Sequence, residues 1–237
     1  MRNFILLCFV SLLGFSQAQA TGPNLLTNGD FEEGFGGVTP PPGAGGWIAV
    51  EGPNFFVESL GNFNTPAADA DHGSFALKLF GSFFGVFNQV IAFQDMIPAT
   101  PGDLYEACVE AQTLSADMIM GSNQGFVRLV FFDAMGNEIS GFNSPTLTAA
   151  SPADEWIDLC VSEIAPVGAA TAGIFVFFQQ LDGVSPGSIF YDNASLCATP
   201  AAAIPTLETW GLIILGLGLS IVGIVYLAQR KSAIQVG

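Results

Sequence analysis

Through the middle of the chain, apolar and polar residues alternate with a period of two, in short runs separated by turn residues. In "SFALKLF" (74–80), Phe75, Leu77 and Leu79 fall on one face and Ala76 and Lys78 on the other. "FVRLVFFDAMGNEISGF" reads as a hairpin: a strand over 126–132, a turn through Ala134, Met135, Gly136 and Asn137, and a return strand from Glu138. Further strands follow in "EWIDLCVS", "AGIFVFFQQ" and "SIFYDNASL". No stretch of this region has the 3.6-residue period of an amphipathic helix, and no internal repeat is found. Eight or more short strands predict an all-β domain built as a two-sheet sandwich.

Both ends of the chain break this pattern. "MRNFILLCFVSLLGFSQAQA" has one basic residue, an apolar stretch and a small-residue ending, which predicts a signal peptide over 1–20 with cleavage after Ala20. At the other end no charged residue occurs from Trp210 to Leu227, and the surrounding Gly, Ile, Leu and Val leave no polar face. A helix over about 210–228 is long enough to cross a hydrocarbon core of about 30 Å, so a single C-terminal transmembrane helix is predicted. Arg230 and Lys231 follow it, which places that end in the cytoplasm and the sandwich on the far side. The predicted layout is therefore signal peptide 1–20, sandwich 21–197, an Ala- and Pro-rich linker 198–203, and a C-terminal segment 204–237.

Composition sharpens the compartment and excludes one class of partner. Twenty-one acidic residues face five basic ones, a formal net charge of −16. Between leader and tail only Lys78 and Arg128 are basic, so phosphate backbones would be repelled and nucleic acid is excluded as a partner. Cys8 leaves with the leader, and Cys108, Cys160 and Cys197 remain in a compartment where disulfides persist. Alternation puts Cys108 on a polar face with Glu106 and Glu110, and Cys160 on one with Asp158 and Ser162. Two such strands paired antiparallel would bring these thiols together, which favours a Cys108–Cys160 bridge. Pairing with Cys197 is the alternative, because three cysteines allow three single bridges.

Several stretches carry a resemblance. "NLLTNGDFEEG" (24–34), "GW" (46–47), "HGSFALKL" (72–79), "GVFNQ" (85–89), "TPGDLYEACVEA" (100–111) and "SIFYDNASL" (188–196) stand in the order seen in galactose-binding-like, jelly-roll carbohydrate-binding modules. The resemblance implies a jelly-roll β-sandwich whose first and last strands lie together and share a structural calcium. In the family pattern the Glu of the opening "DFE" and the Asp of the closing "YDN" are ligands. Here these are Glu32 and Asp192, with Asp30 and the backbone around Ser74 as further oxygen donors. Read without the resemblance, Asp30 makes a turn and Glu32 and Asp192 are solvated strand residues. Sugar binding by such modules needs flat rings and amides. Trp47 and Phe87 with the amide of Gln89 form the candidate ligand-binding set, while most of the 22 Phe are expected in the core.

The tail carries a second resemblance. Ile204, Pro205, Thr206 and Leu207, then Trp210 and Gly211, a span and an Arg-Lys end resemble the IPTL-CTERM protein-sorting domain, a relative of the PEP-CTERM tails of Gram-negative bacteria. Glu208-Thr209 stands where Ser-Glu is usual. The resemblance implies an exosortase-like membrane transpeptidase as partner, transient residence in the inner membrane, and delivery of the sandwich to the cell surface or beyond after processing. Thr206 would then belong to a substrate.

Catalysis finds no support in the motifs. There is no G-x-S-x-G, H-E-x-x-H or CxxC, and the lone histidine, His72, is expected to be a surface-loop residue. The chain is therefore expected to be non-catalytic, a binder of envelope or matrix polysaccharide. A structural or adhesive surface protein that binds no sugar is the alternative, ahead of a polysaccharide-active enzyme.

Overall fold

The computed structural model describes residues 20–33, 46–50, 55–62, 64–201, 215, 217, 219 and 220. The predicted leader, the tetrapeptide 204–207 with Trp210 and Gly211, and most of the span 210–228 lie outside the described residues. The chain divides into two compact units, 1–200 and 201–237. In the second unit, residues 215, 217, 219 and 220 are helical. Among the described residues no helix is long and apolar enough to cross a membrane.

The first unit is an all-β sandwich with no helix among its described residues. Its strands are β1 (Ile48–Val50), β2 (Phe55–Ser59), β3 (Phe75–Phe80), β4 (Asn88–Pro98), β5 (Leu104–Gln112), β6 (Gln124–Phe132), β7 (Glu138–Asn143), β8 (Leu147–Thr148), β9 (Ile157–Ile164), β10 (Thr171–Gln180) and β11 (Ser188–Thr199). One sheet runs β1-β4-β10-β6-β7 with β8 also on β6, and the other runs β2-β3-β11-β5-β9. Every strand pairing is antiparallel. The β6–β7 hairpin sits where the sequence predicts it, and Asp133 holds its turn by accepting the N–H groups of Met135 and Asn137. β11 continues through Ala198 and Thr199, so the predicted linker begins as paired strand opposite Tyr105 and Leu104.

The core lies between the sheets, where alternation delivers the apolar set. Val90, Ala92, Val127, Leu129, Phe131, Ile174, Val176 and Phe178 of one sheet face Leu77, Leu79, Ala107, Val109, Ile189 and Leu196 of the other. Each large side chain so buried contributes about 1.5–3 kcal/mol. Tyr191 is fully buried there and reaches across to donate to the Phe177 carbonyl, 2.7 Å away. Gly125 makes this possible, because a Cβ at 125 would run into the Tyr191 hydroxyl.

A second apolar cluster forms outside the five-stranded sheet. Residues 60–62 and 64–74 fold back over it, with the Leu60 N–H bonded to the Ser74 carbonyl at 2.8 Å. Leu60, Ala76, Leu114 and Phe190 pack there, with Trp156 against them. Ala76, which alternation places on the outward face, is consequently fully buried. The chain's start closes the same region: Asn24 bridges to Cys197, and the Ala194 N–H bonds the Gly29 carbonyl at 2.7 Å. The register of β11 against β5 breaks between Asp192 and Ser195 at this point.

Candidate functional site

The covered outer face of β11 and β5 gathers most of the buried chemistry of the sandwich. Asp192 of β11 stands opposite Glu110 of β5. Residues 66–74 bring Asp69 and His72 over this pair, and the opening segment brings Glu32. His72 is 9% exposed, with Nδ1 2.9 Å from Asp69 Oδ1 and Nε2 2.5 Å from Glu110 Oε2. Its ring lies flat on Trp156, centroids 4.3 Å apart. Burial pulls the His72 pKa down, but the hydrogen bonds and charges of Asp69 and Glu110 outweigh it and the net shift is upward. The expected surface-loop histidine is thus a buried one, because its two carboxylate partners satisfy both ring nitrogens.

Asp192 is 0% exposed. Its Oδ1 accepts the Asn193 N–H at 2.7 Å, while Oδ2 has no partner among the described residues. Burial pushes its pKa up to about 8, with Glu32 and Glu110 adding to the rise and the Asn193 N–H and His72 opposing it. A buried carboxylate with an orphaned oxygen is costly unless it is protonated or meets a cation. Glu32 is oriented beside it, its Oε1 accepting the N–H groups of Ser74 and Phe75, both at 2.8 Å.

The donor chemistry of Glu32 and Asp192 fits a hard cation such as Ca²⁺, which takes carboxylate, carbonyl and water oxygens. Among the described residues no three His, Cys, Asp or Glu side chains form a metal-holding group, so backbone and water oxygens would have to complete the shell. Ser74 contributes its N–H to Glu32 and its carbonyl to the Leu60 N–H, while Asp30 is exposed and lines a cavity with Asn193 and Ala194.

Of the sequence-predicted ligand set, Trp47 is excluded as a sugar platform. It is 0% exposed, its Nε1–H donates to the Asn28 carbonyl at 2.9 Å, and its ring packs on Phe31. An apolar ring with its one donor satisfied internally belongs to the core. Phe87 and Gln89 fare differently. Phe87 is 53% exposed immediately before β4. Gln89 belongs to a row across three strands: Gln124 donates to Gln179 at 2.8 Å, and Gln179 donates to Gln89 at 3.2 Å. Their strands are paired in register at these positions. Beneath this row on the same outer face lie the stacked pairs Phe126–Phe177 and Phe93–Phe175. Gln124 and Gln179 were not predicted as one unit, since 55 residues separate them and only the sheet register joins them.

Cys108 and Cys160 are register partners of β5 and β9 and are disulfide-bonded, with Cα atoms 4.2 Å apart. Cys197 is free. The basic side chains of the sandwich are occupied: Lys78 Nζ lies 3.5 Å from Asp117 and over the Phe190 ring, and Arg128 pairs with Glu138 at 2.6 Å.

Comparison with known proteins identifies the tail. Residues 202–230 match the IPTL-CTERM motif. No curated protein is significantly similar in sequence. Among solved structures, the Stig cyclase Fisc from Fischerella sp. TAU shares 16% identity over 78% of this chain and 100% of its own, with a TM-score of 0.50. TmCBM61, solved with β-1,4-galactotriose, shares 16% identity over 75% of this chain and 99% of its own, with a TM-score of 0.48. The enzymatically active domain of bacteriophage CBA120 tailspike protein 4 shares 16% identity over 74% of this chain, with a TM-score of 0.49. The chain spans 21% of that tailspike domain. At 16% identity the likeness to the cyclase is one of fold alone.

Proposed function

We propose that this protein is exported, held by its C-terminal segment in the inner membrane, and released to the cell surface by an exosortase-like transpeptidase acting near residues 204–207. The observation that carries this reading is the IPTL-CTERM match over residues 202–230. Mass spectrometry of the mature C-terminus in the native host tests it. A terminus within or just before the tetrapeptide is expected; a full-length tail overturns sorting and leaves a plain anchor.

The sorted sandwich is a non-catalytic binder of polysaccharide in this reading. Its support is the amide row Gln89–Gln179–Gln124 with exposed Phe87 at its end. Among the described residues the Gln89 nitrogen and the Gln124 oxygen have no side-chain partner, which leaves donor and acceptor capacity for sugar hydroxyls. The resemblance of the opening and closing segments to carbohydrate-binding modules points the same way. A glycan array probed with the full-length protein in detergent is expected to show binding that Gln179→Ala weakens. Binding to no glycan, with the protein folded, leaves a structural or adhesive surface protein.

Calcium held by Glu32 and Asp192 is the third element of the proposal, supported by the orphaned Asp192 oxygen. The cation would neutralise a buried carboxylate and tie the chain's opening segment to its closing strand.

A further inference from the structure

A cavity of about 330 Å³ opens beside Trp156, on the opposite sheet from the amide row. Pro66, Leu114 and the Trp156 ring supply its apolar lining, and Asp69, Asp154 and Gln112 its polar side chains. Gln112 is 5% exposed, and its carbonyl oxygen has no hydrogen-bond partner among the described residues. A buried amide oxygen without a donor is costly, and a donor brought by a ligand would recover that cost.

The remaining polar groups are fixed and anionic. Asp69 Oδ1 takes the N–H groups of Asp71 at 3.0 Å and His72 at 2.8 Å, besides the His72 ring. Asp154 Oδ1 accepts the Ser115 N–H at 2.9 Å. These bonds hold both carboxyls below the ordinary carboxylate range, so both are charged near neutral pH. The Thr65 hydroxyl is spent on the Asn62 backbone. The lining therefore accepts hydrogen bonds beside an indole ring that is itself stacked on His72.

We propose that this cavity is a second saccharide site, separate from the amide row, that seats one neutral or amino pyranose residue against Trp156 with its hydroxyl or ammonium groups donating to Asp69, Asp154 and Gln112. The volume lies at the small end of ligand pockets, which suits about one sugar ring. Two carboxylates in the lining reject uronic acids and phosphorylated sugars by repulsion. This rests on the reading of the sandwich as a carbohydrate binder.

The test uses an array of neutral hexose and pentose oligomers, glucosamine oligomers and uronic-acid oligomers, probed with the full-length protein in detergent. Binding to a neutral or glucosamine oligomer is expected, and Trp156→Ala should weaken it at least tenfold. Asp154→Asn keeps the left-handed backbone at this position (φ 63°), which Asn tolerates, and should weaken it severalfold while the protein stays folded. If glycans bind and neither Trp156→Ala nor Asp154→Asn changes the affinity, the cavity is not a site while the carbohydrate reading stands. Binding confined to uronic acids overturns the proposed selectivity, and binding to nothing overturns both readings.

Discussion

His72 and Trp156 lie face to face, their planes 10° from parallel, although 84 residues separate them in the chain. The pair clamps residues 64–74 onto the outer face of the five-stranded sheet, and Asp69 and Glu110 hold the imidazole from its two nitrogens. Much of what is buried on that face depends on this clamp.

The clamp has a pH dependence with a definite sign. The folded His72 pKa is raised, so its protonated form is favoured by folding. Its contribution is fully present below the unfolded histidine value of about 6.5 and is lost as pH rises through the folded pKa. Replacement His72→Ala should cost about 1–2 kcal/mol near pH 6 through the lost stack and hydrogen bonds, and less above the folded pKa. Thermal melts from pH 5 to 9 check this; a deficit that does not shrink with pH would rule out the charged clamp.

Asp192 should shift stability in the same direction with pH, and show the cation if one binds. Its folded pKa, about 8, lies above the usual value for a carboxyl, so the native state holds a proton that the unfolded chain releases. In metal-free buffer stability should therefore fall as pH rises from about 4 to about 8, and Asp192→Asn should remove much of that slope. With calcium at 100 times its dissociation constant, the wild type should gain about 2.7 kcal/mol and Asp192→Asn should gain much less. A wild-type melting temperature indifferent to calcium at pH 7.5 refutes the Glu32 and Asp192 assignment.

The Cys108–Cys160 bridge closes a loop with a sequence separation of 52. In the chain-entropy account such a loop stabilises by about 4 kcal/mol. Chemical denaturation of a Cys108→Ala, Cys160→Ala variant should show a loss of that order, with Cys197 unable to compensate from its place in β11. An unchanged midpoint would mean that the bridge constrains nothing that the sheet pairing does not.

Gly125, the chain neighbour of Gln124, predicts a packing defect on the core side of its sheet. A methyl group there meets the Tyr191 hydroxyl and the Ile189 side chain. Gly125→Ala should cost about 1–3 kcal/mol, and pairing it with Tyr191→Phe should recover part of the loss. Additive effects of the two substitutions would show that the hydroxyl is not what the methyl displaces.

Alternation in the sequence was enough for the all-β class, the β6–β7 hairpin and the inward Leu77 and Leu79 of β3, because a strand's two faces follow from its period of two; Phe75, expected with them, is only half-buried. The polar-face placement of Cys108 and Cys160 followed from the same rule, and the sorting motif was legible as a local string. Period two does not say whether an outward face will itself be covered. Ala76, His72 and Asp192 are buried because residues 60–62 and 64–74 and the opening segment fold over the outer face of β11 and β5. Trp47 went to the core for a related reason: a backbone carbonyl, that of Asn28, satisfied its nitrogen inside. The amide row and the Trp156 cavity each join residues from distant strands and loops. Register and loop packing, which are long-range choices among many pairings, assembled them.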